Sequence, residues 1–103
     1  MTMTGKPSPW GLIDYSKPVA NGVWFVSTPG HGGYKLDAIR NRQVHSDLRQ
    51  PGGWYEEDCE WATVCLTFPD LFTPALVDIA RGYAARWTPK AIEVFGLEPV
   101  VFS

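Results

Sequence analysis

Two cysteines and two histidines are all the thiol and imidazole chemistry in this 103-residue sequence, and neither pair stands at a metal-ligand spacing. CxxC, HxxxH and HExxH are all absent, so a zinc site would have to be assembled by the fold rather than by a local motif. No metal and no cofactor are therefore expected. Cys59 and Cys65 lie six apart, which a helix would place on different faces, and the pair is expected as reduced, buried, structural thiols without a disulfide. No apolar run approaches the roughly 20 residues of a membrane helix, and MTMTGK has no apolar stretch of the kind that directs secretion. The expected compartment is the cytoplasm, with no membrane partner. Basic excess is missing too: a formal net charge of -2 argues against direct nucleic-acid binding, which must neutralise phosphates. No Gly-x-Ser-x-Gly elbow or phosphate-loop lysine is present, and the chain is too short for an α/β-hydrolase.

Aromatic residues, by contrast, are plentiful, with tryptophans at 10, 24, 54, 61 and 87, and a chain of this length builds one core. The expected fold class is α+β: a short antiparallel hairpin or sheet packed against three to four helices. Residues 1–9, polar and with two prolines, read as a flexible leader, so a single domain is expected over 10–103. Val23-Trp24-Phe25-Val26 between Asn21-Gly22 and Thr28-Pro29-Gly30 reads as a buried strand, and Tyr34-Lys35-Leu36 as its hairpin partner. Asp37 caps a short helix from Ala38 to about Val44. Tyr55, Cys59, Ala62 and Leu66 recur at helical spacing and predict a helix from about Tyr55 to Thr67; a strand over Thr63–Phe68 is the rival. Thr73-Pro74 and Thr88-Pro89 each place a capping residue before proline at the first helical position. They predict one helix from Pro74 to about Arg86, burying Leu76, Ile79, Ala80, Tyr83 and Trp87, and another from Pro89 to Phe95, burying Ile92 and Phe95 and ending at Gly96. Val100-Val101-Phe102 reads as a short closing strand.

Three features could carry chemistry. The segment GGWYEEDCEW, residues 52–61, sets Glu56, Glu57, Asp58 and Glu60 among Trp54, Tyr55 and Trp61. Placed in the first turn of a helix, the acids would be favoured by its unpaired N–H groups and dipole; placed on a surface, Trp54, Tyr55, Glu56, Glu57, Asp58 and Glu60 would form a partner-binding patch. The loop Gly30-His31-Gly32-Gly33 could serve as an anion or ligand loop, or as a plain turn in which glycines supply positive φ. If the two segments meet, His31 would act as general acid or base with Glu56 or Glu57 orienting it, or the pair would simply tie the loop to the helix. Third, tryptophans and tyrosines near arginines suit either a core edge or an interface.

The blocks Ser27-Thr28-Pro29-x-His31-Gly32-Gly33 and Tyr55-Glu56-Glu57-Asp58-x-x-Trp61 resemble the signature of a family catalogued as a domain of unknown function. Its members are small proteins or domains of bacteria, their phages and plasmids. The resemblance covers roughly Trp10 to Phe72. It implies a mobile-element context, in which small acidic proteins without catalytic motifs disable host defences. On that basis the expected function is protein–protein binding in the host cytoplasm. The expected partner is a host defence complex, of the CRISPR or restriction type, inhibited by occlusion of a surface. The alternative is a small enzyme or ligand-binding domain with a His31/Glu57 site.

Overall fold

In a computed structural model, which describes residues 2–98, the chain is an α+β domain built on one four-stranded antiparallel sheet. A two-stranded hairpin comes first, β1 (Pro7–Ser8) paired with β2 (Gly11–Leu12). The main sheet is a meander of β3 (Tyr15–Ala20), β4 (Val23–Ser27), β5 (Gly32–Leu36) and β6 (Trp54–Glu56), in that spatial order. Four helices follow or interrupt it: α1 (Ala38–Gln43), α2 (Trp61–Thr67), α3 (Pro74–Trp87) and α4 (Pro89–Phe95).

Local chemistry explains most of these boundaries. Ala20 pairs with Val23, leaving Asn21-Gly22 as a two-residue turn, and Gly22 supplies the φ of 81° that such turns require. Pro18 cannot donate to a ladder, and β3 accommodates it by lying at the sheet edge with a register shift between Pro18 and Ala20. The Asp37 carboxylate accepts from the Arg40 N–H at 2.8 Å and caps α1. Thr73 Oγ1 accepts from the Leu76 N–H at 3.2 Å and caps α3. Thr88 makes no such side-chain bond, so α4 starts on its proline alone and closes at Gly96 in the left-handed region.

Strand alternation gives the sheet two different faces. Val23, Leu36 and Tyr55 point to the helices and join Val44, Leu48, Ala62, Val64, Cys65, Phe68, Ala80, Ala84 and Ala91 in the main core. Val26, on the opposite face, forms a second cluster with Met3 and Ile13, against which Trp10, Trp24 and Trp54 pack half-buried. The N-terminal segment is the cover of that face. Residues 2–9, expected as a leader, are tied down: Met3 is buried, its N–H donates to Ser16 Oγ at 2.9 Å, and the Gly5 N–H donates to the Ile13 carbonyl at 2.8 Å.

Several other expectations are corrected. The helix predicted from Tyr55 is a strand, a turn and then a helix, because Tyr55 pairs with Tyr34 at the sheet edge. The acids consequently precede α2 rather than fill its first turn. Thr63 to Thr67 are helical, which removes the rival strand. On α3 the buried stripe is Val77, Ala80 and Ala84, whose small side chains suit close packing on α2, and Ile79 (59% exposed) and Trp87 (58%) turn to solvent. Of the two thiols only Cys65 is buried; Cys59 is exposed, and both are free. The strand expected at Val100–Phe102 lies outside the described residues.

Candidate functional site

The loop between β4 and β5 is only four residues, Thr28 to His31. The Thr28 N–H donates to the His31 carbonyl at 2.7 Å, the Thr28 hydroxyl donates to the same carbonyl at 3.0 Å, and the His31 N–H donates back to Thr28 Oγ1 at 3.2 Å. Thr28 is itself buried, so His31 is clamped from beneath at the strand entrance.

Gly32 and Gly33 are not part of an open anion loop. Both are buried residues of β5, the middle strand between β4 and β6, and neither has positive φ. What requires glycine there is space. A Cβ on Gly33 would overlap the Tyr55 carbonyl oxygen and come within 2.9 Å of Trp10 Cη2, and one on Gly32 would stand 3.1 Å from the Val26 carbonyl and 3.2 Å from Glu57 Oε2. Gly30 remains exposed at the loop tip.

Gly33 lies opposite Glu56 in the β5–β6 ladder, and this register delivers the acid to the histidine. His31 Nδ1 stands 3.1 Å from Glu56 Oε1, with side chains 51% and 28% exposed. Asp58 completes a group in which one ligand-type atom from each of His31, Glu56 and Asp58 lies within 4.8 Å of the others. Glu57, by alternation, turns to the opposite face, beside Gly32 and Ser27, and its N–H donates to the Gly32 carbonyl at 2.9 Å. The partner of His31 is thus Glu56, and the expected His31–Glu57 pairing does not form.

The remaining acidic-segment residues divide sharply. Tyr55 is 0% exposed, its hydroxyl donating to Asn41 Oδ1 at 2.5 Å and accepting from the Gln50 N–H at 3.1 Å, so it serves the core and cannot meet a partner. Burial raises its phenol above the usual value, against opposing pulls from the Gln50 bond and the Arg49 charge. Trp54 is half-buried, edge-on to Trp10 at 5.7 Å, with Lys35 Nζ 4.9 Å above its ring; burial lowers the Lys35 ammonium, with Asp37 opposing. Glu60 accepts the Glu56 N–H on Oε1 at 3.2 Å, and the Tyr83 hydroxyl donates to the Asp58 carbonyl. Glu57, Asp58 and Cys59 are exposed. Burial, then the charges of Glu60, Glu56 and Asp58, raise the Cys59 thiol, which makes it a poor nucleophile. Beyond the turn, a groove of about 390 Å3 is lined by Cys59, Glu60, Trp87, Lys90, Asp47 and Leu48.

Residues 3–99 match the family described as Domain of unknown function (DUF7007). The chain belongs to that family. The match extends past Phe72 through α3 and α4, so both C-terminal helices are part of the DUF7007 unit, as is the N-terminal cover from Met3 onwards. No curated protein and no solved structure matches the chain. Among the described residues no helix is long and apolar enough to cross a membrane.

The sequence suggests His31 with Glu56 or Glu57 as one site, but gives no reason to add Asp58 to it. The sequence offers Trp87 both to the core stripe of α3 and to an aromatic surface near arginines; the structure exposes it, and the groove beside it has no sequence signal of its own. A Thr-Pro restart directly after Trp87 was the available signal, since a helix end is a position where a large side chain escapes burial.

Proposed function

We propose that the protein acts by binding another protein, as an inhibitor of a host defence complex of the CRISPR or restriction type whose surface it occludes. The observation that carries this reading is the surface around Glu57, Asp58 and Cys59. This exposed acidic turn follows β6, the strand that half-buried Trp54 opens, and Cys59 and Glu60 at its far end line the groove holding exposed Trp87. Aromatic side chains beside uncompensated acids supply the two ingredients of an interface: apolar anchors and charge that steers a basic surface into register. A CRISPR or restriction complex presents such basic surfaces where it holds nucleic acid. The defence target and a mobile-element origin rest on the family context read from the Ser27–Gly33 and Tyr55–Trp61 blocks. The place of action on this reading is the host cytoplasm.

Catalysis or small-ligand binding around His31 draws support from the His31–Glu56–Asp58 group, but His31 lines neither the groove beside α3 nor the one that holds Trp87. The deciding experiment expresses the protein in bacteria that carry an active CRISPR or restriction system and challenges them with a sensitive phage. Wild type is expected to restore plaque formation, and Trp54→Ala with Glu57→Lys, of verified fold, to lose it. Restoration that survives both changes but disappears with His31→Ala would sink occlusion through this surface.

A further inference from the structure

We propose that His31, Glu56 and Asp58 form a binding site for a divalent first-row transition ion of the zinc or manganese class. The site goes beyond the partner-binding role and does not depend on it. Its ligand set is one imidazole and two carboxylates, drawn from a loop, a strand and a turn that no sequence spacing links. Imidazole nitrogen selects the transition ions, and carboxylate oxygen accepts both zinc and manganese.

Geometry supports it. Bonds of about 2.0–2.1 Å in a tetrahedral site set neighbouring ligand atoms roughly 3.4 Å apart. His31 Nδ1 and Glu56 Oε1 already stand 3.1 Å apart, and an Asp58 oxygen falls within 4.8 Å of a ring nitrogen of His31 and a carboxylate oxygen of Glu56. The nitrogen turned to Glu56 is Nδ1. Three protein ligands leave at least one coordination position, and with His31 and Asp58 exposed it opens on solvent, as in sites whose metal takes water or an incoming group.

The backbone at all three positions is fixed by bonds that do not involve the cluster. Thr28 clamps His31 at both its N–H and its carbonyl, Glu60 holds the Glu56 N–H, and Tyr83 holds the Asp58 carbonyl. Supports of this kind keep ligands near a productive geometry before an ion arrives. A tie between loop and strand would need only the His31–Glu56 contact. Asp58 adds a second negative charge next to Glu56, which a cation would offset and an ion pair does not require.

The molecule contains its own controls. His45 Nδ1 and Asp47 Oδ2 stand 3.9 Å apart with Lys90 Nζ 4.0 Å from the same oxygen, a pair that lacks a third ligand and faces a cation. Cys59 is an exposed thiol next to Asp58 in sequence. The test titrates the purified protein with zinc chloride and with manganese chloride in a calorimeter, beside magnesium chloride. The result expected is one zinc or manganese ion per chain. His31→Ala, Glu56→Gln and Asp58→Asn should each weaken it by at least about tenfold, of the order seen when a supporting group of a metal site is lost. His45→Ala and Cys59→Ser should leave it unchanged. Asp58→Asn is the sharpest variant because it spares the His31–Glu56 contact, so its melting temperature without metal should match wild type while the metal-induced rise in melting temperature disappears. Binding that persists in Asp58→Asn, follows His45 or Cys59, or is absent at millimolar metal would overturn the site.

Discussion

The two faces of the sheet are built on opposite plans. The face carrying Val23, Leu36 and Tyr55 is covered by the helical layer, with those three side chains fully buried, whereas the face carrying Val26 is covered by a short N-terminal segment and leaves Trp10, Trp24 and Trp54 half-buried. The thick cover can be continuous because α3 meets α2 through alanines; the thin one has too little chain to enclose three indoles. The candidate ligands His31 and Glu56 belong by alternation to the thin-cover side. Stability is concentrated on one face and exposed chemistry on the other.

Gly33→Ala should have the largest effect, since its Cβ would collide with the Tyr55 carbonyl and press on Trp10, disturbing both faces at once. A loss of at least about 3 kcal/mol in urea unfolding is expected; a loss below about 1 kcal/mol would mean that β6 is not held against β5. The next pair compares the covers directly. Leu36→Ala should cost about 2–5 kcal/mol and Met3→Ala only about 1–2 kcal/mol, because a thin cover can collapse over the gap. Equal losses would break the comparison.

Tyr55→Phe removes the hydroxyl that serves Asn41 and the Gln50 N–H, and should cost about 1–3 kcal/mol, against less than about 0.5 kcal/mol for Tyr15→Phe, an exposed tyrosine on the edge strand β3 of the same face. A pH dependence is also expected from the helix-covered side. Burial pushes the Tyr34 phenol and the Cys65 thiol each up to about 12, from 10.0 and 9.0, with Cys65 also raising Tyr34. The native state therefore holds these protons longer than the unfolded chain. Their contribution is intact below about pH 9 and drains as pH rises towards 12. The melting temperature should fall over that window, less steeply in Tyr34→Phe; a flat profile would count against the enclosure of Tyr34 and Cys65.

Where a single residue's chemistry fixes a boundary, the sequence was sufficient. Asp37, Thr73 and Gly96 act within one turn of their own position, and Val23–Val26 is a strand by composition alone. The segment from Tyr55 was misleading for a physical reason. Tyr55, Ala62 and Leu66 contribute to one core, so they mimic helical spacing, but the chain reaches that core first as a strand and then as a helix, with Cys59 outside in the turn. β3 was obscured by Pro18, although Asn21-Gly22 is a strong two-residue hairpin signal that pointed to it. His31 and the acids were visible as unusual residues. Their selection was not, because choosing Glu56 over Glu57 depends on the Gly33–Glu56 register, and a slip of one residue would exchange them.

The uneven distribution of indoles gives the protein an internal optical probe. Trp10, Trp24 and Trp54 share the thin-cover cluster, Trp61 is tilted against Tyr83, and Trp87 lies exposed beneath Arg86. Three of the five fluorophores consequently report on the N-terminal segment, whereas far-ultraviolet ellipticity is dominated by the helices. If the cover lifts before the helices melt, the emission spectrum will shift to the red ahead of the loss of ellipticity, and the two faces will be seen to come apart by colour.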